Sequence, residues 1–560
     1  MMKRAKGPLH HKNFEEHLKY NHRMSLSEQQ PARSANRQIA RAAGTVMLAM
    51  VLSQLTGMLA TVLTARAFGT GIESEAFFAA NRFAEVIFNL VAGGALASAF
   101  IPTFTTLLTQ ENHDSAWKLA SAVANLILLI LTLIAALAAI FAPQVVHYIL
   151  APGFADADPA KAALTVQLLR IQLPTAIIFG LSGLIMGILN SHQSFLFPAL
   201  APCMYSLGWI AGALFLAPLI GIYGLAWGVV LGSSLHLALQ VPALLHLPQR
   251  RYFATLGLHI PQVGEVARLM GPRLVGVAIV QINFLVNTYL ASLQPEGSLT
   301  GISLAFPLMY MPLAAIAQSV AIAALPTFSA QVAAGKLDEM RASLASSLRG
   351  VLLIAIPASV GLMVLRRQVV ALLYQRGAFT AASTELVAWA LLWYAAGLVS
   401  FSIVEIISRA FYALHDTKTP VFLLVISMTL NLGFSLLFTS LFKNIGWMPH
   451  GGLALANSLA TTFEMIGLLW GMRRRLKGLE GRAILQVVRQ SVIAVLGMGA
   501  ALWAWLVFTP SLPIPVIALG GVALGGGVYV LLLALMGVRE LRMVWTLRKS
   551  LYQRIVPARK

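Results

Sequence analysis

Hydrophobic stretches of bilayer length recur along nearly the whole chain, separated by short polar breaks. About 20 apolar residues in a helix cross a bilayer, and a helix satisfies its own backbone in lipid. Fourteen stretches qualify: 42–66, 76–108, 118–141, 162–190, 196–218, 221–246, 263–292, 300–331, 346–365, 383–413, 418–441, 450–472, 486–508 and 514–536. The breaks carry turn signals, among them Ala-Pro-Gly at 151–153, Pro-Glu-Gly at 295–297 and Gly-Trp-Met-Pro at 446–449. The pattern predicts an all-α polytopic membrane protein of about 14 transmembrane helices.

Polar residues inside these stretches are the informative exceptions, because a charge in hydrocarbon is costly and usually faces a protein interior or a wet cavity. The second stretch carries Asn81, Arg82 and Glu85. Arg82 and Glu85 are three residues apart and share one helical face. They are either a self-neutralised pair near the membrane surface or the wall of a polar cavity. Asn283 and Asn287 lie four apart in the seventh stretch, beside Gln281, and either bind substrate or bond between helices. Glu405 and Arg409 read as an ion pair, and Glu464 either as a coupling site or as a neutral interhelical donor. His415-Asp416 is placed to cap the eleventh helix around Thr417. Gly525-Gly526-Gly527 reads as close helix packing, since no P-loop lysine follows.

Composition agrees with the pattern. Of 560 residues, 58% are hydrophobic and 11% charged, too apolar for a soluble protein. The net charge of +20 would suit nucleic acid, but the cations collect in short breaks and in the tails 1–41 and 537–560, so no nucleic-acid partner is expected. The sequence 1–41 has no signal-peptide apolar core and reads as a basic cytoplasmic tail, with Met24 offering a second start. Cys203 is the only cysteine, which excludes a disulfide framework. There is no Walker motif, HExxH or paired-cysteine site, so no catalytic residue, metal or cofactor is expected, and the chain is not read as an enzyme.

Loop charge sets an orientation. With the N-terminus inside, the even-numbered loops hold Arg250, Arg251, Lys336, Arg341, Lys418 and the cluster Arg473, Arg474, Arg475, Lys477 and Arg482. The odd-numbered loops hold fewer cations: Lys161, Arg366, Arg367, Arg376 and Lys443. The asymmetry predicts N-in and C-in, and the inner cluster also meets anionic lipid. Short echoes suggest a duplication. Ser98–Phe104 closes the second helix and Ala323–Phe328 the eighth, with Pro-Thr-Phe common to both. The expected organisation is an N-lobe at 42–246, a C-lobe at 263–472 and a further helix pair at 486–536.

In these residues the chain resembles the MurJ (MviN) family of lipid II flippases, within the MOP exporter superfamily. The resemblance covers nearly all of 45–535. It rests on Glu75-Ala-Phe-Phe, Gly94-Ala-Leu-Ala-Ser-Ala-Phe-Ile-Pro102, Ala151-Pro-Gly-Phe154, Gly187-Ile-Leu-Asn190 with Pro198-Ala-Leu-Ala-Pro202, and Met270-Gly-Pro272. Tyr374-Gln-Arg-Gly-Ala-Phe-Thr380 and Phe411-Tyr-Ala-Leu-His-Asp-Thr-Lys-Thr-Pro420 complete it.

The resemblance implies two lobes around a central cavity walled by helices 1, 2, 7 and 8, with helices 13 and 14 as a groove for a lipid tail. It implies a bacterial inner-membrane flippase that moves undecaprenyl-pyrophosphate-linked peptidoglycan precursor from the inner to the outer leaflet by alternating access. Its partners would be that anionic lipid, membrane lipids and cell-wall synthesis proteins. A pyrophosphate needs fixed cations, and the arginine fork suits it. The substrate-binding candidates are Arg66, Arg82, Glu85, Arg273, Asn283 and Asn287. Where many family members carry arginines and acids, this chain has Gln54, Ala60, Phe88-Asn89, Gly93 and Phe306-Pro307. The alternatives are a flippase for another lipid-linked saccharide, a cation-coupled small-molecule exporter of the same fold, and a non-transporting scaffold.

Reporter fusions test the orientation. A fusion at residue 295 should read outside and one at residue 560 inside; both on one side would overturn it.

Overall fold

A computed structural model describes residues 48–91 and 95–538. The tail 1–41, Gly93, Gly94 and all but two residues of 537–560 lie outside the described residues. The described chain is helical, and its long helices follow the hydropathy closely. They are α1 (Leu48–Phe68), α2 in two pieces (Ile72–Val91 and Ala95–Thr109), α3 (His113–Ile140) and α4 (Pro159–Ser191). Then come α5 (Leu196–Ile220), α6 (Ile222–Leu245), α7 (Pro261–Ser292), α8 (Ser298–Ala333) and α9 (Leu337–Val364). The series ends with α10 in two pieces (Ala381–Ala396 and Leu398–Ala413, bent by 46°), α11 (Lys418–Asn444), α12 (His450–Arg475), α13 (Gly481–Phe508) and α14 (Ile514–Leu535).

Twelve of these are long and apolar enough to cross a membrane, and α10 makes thirteen if its bent pieces form one span. The first piece of α2 falls outside that group because it carries Glu73, Glu75, Arg82 and Glu85. Counting α2, the fold has about fourteen spans. The largest departure from expectation is α9, which starts nine residues before 346. Its first turns are amphipathic: Met340, Leu344 and Leu348 are buried, and Asp338 and Glu339 sit where the helix dipole favours acids. Hydropathy alone discards such a polar start. Asp416 accepts Thr419 N–H (3.0 Å) and Thr419 Oγ1–H (2.7 Å), so it supplies the expected cap of α11, while Thr417 stands at the N-cap position without a side-chain cap bond. Burial pushes the Asp416 carboxyl up, but these bonds and Arg475 outweigh that and hold it below its usual range.

Helices α2–α6 pack mainly on one another, and α8–α12 do the same. We call these the first and second bundles. The helix α1 sits on α5, where Trp209 Nε1 donates to Thr64 Oγ1 (3.0 Å). The helix α13 lies on α9, and α14 on α13 and a short helix, Arg366–Tyr374. The helix α7 belongs to both bundles. Its start packs on the second piece of α2 and on α3, and its end bonds to α11.

Within the first bundle α5 and α6 meet at glycines. A methyl on Gly208 would stand 2.2 Å from Gly232 Cα, and one on Gly212 would stand 2.5 Å from Gly228 Cα. Small residues let helix backbones approach, which is how helices gain contact in lipid. Of the run Gly525–Gly527 only Gly525 is used this way, 3.1 Å from Leu502.

Gly208→Leu should therefore force α5 from α6, costing about 1–3 kcal/mol or more, whereas Gly526→Leu, which meets no atom within 4 Å, should be tolerated. Melting temperatures of the two variants in detergent check this. Equal loss in both would contradict the packing argument.

Candidate functional site

The two bundles are joined at the end that carries the odd-numbered loops. Glu75, in the first turn of α2, is the centre of that seam. Its Oε1 accepts Leu299 N–H at the start of α8 (2.9 Å), and its Oε2 pairs with Lys161 Nζ of α4. Both side chains are buried, Glu75 at 1% and Lys161 at 7% exposure. Lys161 Nζ also lies 3.9 Å from the Phe154 ring centroid, a cation–π contact. A single carboxylate thus satisfies a lysine of its own bundle and an N-terminal amide of the other. An acid at a helix N-terminus is favoured because those amides have no partner inside the helix.

Further bonds extend the seam. Ala378 N–H donates to Arg66 O (2.9 Å), Thr70 and Ser383 hydroxyls share a 2.8 Å bond, and Gly153 N–H donates to Ser292 Oγ (3.3 Å). Backbones approach so closely here that glycine is required. A Cβ on Gly153 would stand 2.2 Å from Ser292 O, and one on Gly377 (φ +63) 2.4 Å from Arg66 O. The sequence stretches 151–154 and 374–380 therefore have a shared place: each contributes a glycine to one side of the seam.

Deeper between the bundles sits Arg82. Because α2 starts at Ile72, four residues earlier than the hydropathy suggests, ten residues separate Arg82 from the helix start, roughly 15 Å. Its Nη1 donates to Glu85 Oε2 (2.6 Å), and Asn81 Nδ2 donates to Glu85 Oε1 (2.8 Å). Across the gap its guanidinium lies 5.2 Å from the Phe284 ring of α7. Phe284 packs edge-on against Phe306 of α8 (5.9 Å), and Phe306 against Tyr394 of α10 (5.4 Å). Arg82 Nε is buried without a hydrogen-bond partner. The guanidinium is thus a cation held from one side by a carboxylate, backed by aromatic rings of the other bundle, with donor capacity unused. Such a group suits a carboxylate or phosphate ligand.

The other candidates lie elsewhere. Arg66 is exposed near the end of α1, beside the seam, and Arg273 is exposed on α7. Asn283 and Asn287 are buried inside the second bundle: Asn283 donates to Asn431 Oδ1 of α11 (3.0 Å), and Asn287 to Asn283 O (3.0 Å). Among the described residues, this polar row is linked to α2 by Asn89 Nδ2, 3.5 Å from Gln281 Oε1. Glu405 and Arg409 pair at 3.2 Å, and Glu464 is buried in α12. Sequence reasoning took Lys161 for an outer-loop charge. A lysine 86 residues from its partner leaves no local signal, although Glu75 opens a stretch of the family resemblance. No cluster of three metal-ligating side chains occurs among the described residues.

The family profile described as "Lipid II flippase MurJ" matches residues 64–519. The chain belongs to the MurJ family. It is 30% identical to the lipid II flippase MurJ of Burkholderia cenocepacia over 78% of this chain and 84% of that protein. It is 31% identical to a probable lipid II flippase MurJ of Rhizobium meliloti, over 84% and 88%. A solved lipid II flippase MurJ structure in an inward closed conformation superposes with a TM-score of 0.75 at 24% identity, over 88% of this chain and 98% of that one. A multidrug MATE transporter of the MOP superfamily shares the fold more distantly, with a TM-score of 0.63 at 15% identity. Glu75 and Arg82 both lie within the matched range 64–519.

Removing one partner of a buried ion pair costs about 3–5 kcal/mol. Glu75→Gln and Lys161→Met should each lower the melting temperature in detergent. Together they should cost less than the sum of the two, by more than about 0.5 kcal/mol. Strict additivity would show that the pair is not coupled.

Proposed function

We propose that this chain is a flippase of the bacterial cytoplasmic membrane that carries lipid II, the undecaprenyl-pyrophosphate-linked peptidoglycan precursor, from the inner to the outer leaflet. Membership of the MurJ family supports the reading, and one observation carries it at the residue level: Arg82, a cation deep between the bundles with an unpartnered buried Nε. The pyrophosphate would take the place that Glu85 now occupies on the guanidinium. Glu85 keeps the empty site from standing as a bare cation in a low dielectric, a state that costs free energy. The polyprenyl tail needs no cavity, because lipid already solvates it.

The lobes are read as 42–246 and 263–472, with 486–536 as the pair that guides the tail. Both termini are read as cytoplasmic, from loop charge. In that orientation the Glu75 seam holds the bundles together at the outer face, and Arg82 would be reached from the inside. Gln54, Arg273 and Ser319 are exposed on α1, α7 and α8, polar positions that suit a wet cleft better than lipid. Transport then requires the seam to part and the opposite end to close. Arg66, at the seam, and Arg273, on α7, are the further cations the headgroup would meet. Asn283 and Asn287 would act from behind, by holding α7 to α11. No bond in the substrate is made or broken, so the chain is read as a transporter and not an enzyme. Its energy would come from the membrane potential, an ion gradient or substrate flow. Partners among cell-wall synthesis proteins would supply and consume the lipid.

A second reading, a flippase for another lipid-linked saccharide, is favoured by the rings Phe284, Phe306 and Tyr394 that back Arg82. The cavity cation is shared by both readings.

Arg82→Ala should abolish rescue of a flippase-depleted bacterium and weaken binding of a pyrophosphate lipid at least tenfold, while Arg82→Lys should retain part of both. Membrane levels of the variants are measured alongside. An Arg82→Ala protein at normal level that rescues fully would move the site to Arg66 or Arg273.

A further inference from the structure

At the end with the even-numbered loops, α12 and α13 are joined by a tight turn with cations on every side. Several are committed. Arg475 pairs with Asp416 (2.6 Å), Arg474 lies 3.5 Å from the Trp470 ring centroid, Arg349 pairs with Glu480 (3.6 Å), and Arg341 donates to Leu476 O (3.4 Å). Leu476 and Leu479 are buried, so the turn is anchored. Arg482 and Arg489 are different: both are exposed, and neither forms a salt bridge among the described residues.

Arg489 is the unusual one. It stands eight residues into α13, roughly 12 Å from the start of a helix long and apolar enough to span. An ionisable residue there calls for a partner. Seven residues separate it from Arg482, two turns on one face. Gln486 is exposed between them. Below Arg489 the same face becomes wholly apolar: Val492, Ile493 and Leu496 are exposed, Leu496 at 69%. The opposite face is occupied, with Ala494, Met498 and Leu502 buried and α9 and α14 packed on it. One face of α13 therefore offers two cations and an amide over the first turns, with Leu485 exposed among them, and a bare apolar stripe beneath.

We propose that this face of α13 binds one anionic phospholipid of the surrounding bilayer, its phosphate between Arg482 and Arg489 and an acyl chain along Ile493 and Leu496. The argument is complementarity of charge and of polarity along one axis. A phosphate satisfies the forked guanidinium of Arg489 where no carboxylate among the described residues does. The acyl chain covers the stripe at the depth where the helix turns apolar. A helix partner with an acid facing Arg489 is the rival occupant. The site is on α13, away from Arg82 on α2.

The test uses the purified full-length chain in mixed micelles of phosphatidylglycerol or phosphatidylcholine, read by native mass spectrometry and by melting temperature. The wild type should retain phosphatidylglycerol and melt higher in it than in phosphatidylcholine. Arg489→Gln and Arg482→Gln should each weaken retention about fivefold, and the double variant should erase the preference, as expected for cations worth one phosphate contact each. Arg489→Lys should keep part of it, which separates loss of charge from damage to the fold. Equal retention of the two lipids by the wild type, or an unchanged preference in the double variant, would overturn the proposal. So would a self-association that Arg489→Gln and Arg489→Lys both abolish, since that would give the face to a second copy.

Discussion

The carboxylate of Glu75 is the point on which the observed arrangement depends. Buried charge is expensive, and Glu75 is stable only because Lys161 neutralises it and Leu299 N–H completes its hydrogen bonding. Those two partners sit on different bundles. The group that balances the interior of the first bundle is therefore also the cap on the first turn of α8. The glycine contacts at Gly153 and Gly377 are possible only while that junction is held, because they require backbone-to-backbone approach between the same two bundles. Separation would leave the Leu299 amide without its acceptor while Lys161 kept the charge balanced. The cost of opening is thus a lost hydrogen bond and apolar contact, not an orphaned ion.

Arg82 follows the same economy in a different setting. Its charge is met by Glu85 within a single turn of α2, so the pair tolerates its depth without help from the second bundle. What the second bundle adds is Phe284, a ring whose face attracts a cation weakly and whose edge packs on Phe306. A ring cannot compete with a phosphate for a guanidinium, whereas a second carboxylate could. On the α8 side Phe306 brings a ring and no charge, so the second bundle meets the Arg82–Glu85 pair without a competing acid from that position.

Most of the helical plan was legible in the sequence, because hydropathy over a bilayer length is a strong local signal. The ends of α4, α6, α7 and α11 fall within a few residues of expectation. The start of α9 was not legible, since its polar face satisfies helix geometry without being apolar. The spacing of Arg82 and Glu85 was readable as one face of a helix, and the bond between them is local. Lys161 with Glu75 and Asn283 with Asn431 were not readable: they join residues 86 and 148 positions apart, and side-chain periodicity carries no information about which faces meet. Asn283 shows the cost of that gap. Its residue type suited a sugar as well as a neighbouring helix, and its bond to α11 appears only once α11 is placed.

The helix α7 is shared by two bodies. Val263 and Val266 are packed into the first bundle with Trp117 and Leu119, and Leu290 and Ala291 into the core that includes the second. Between them Gly271, Pro272 and Arg273 are exposed, and neither Gly271 nor Gly276 would meet a neighbour within 4 Å. Pro272 also removes one rung of the helix's own hydrogen bonding. Mechanically this is a leaf spring clamped at both ends, with its thinnest section in the middle. If the angle between the bundles changes while both ends stay packed, the bend falls on that section, and the stiffness of a few residues around Pro272 then sets how much elastic energy the swing stores.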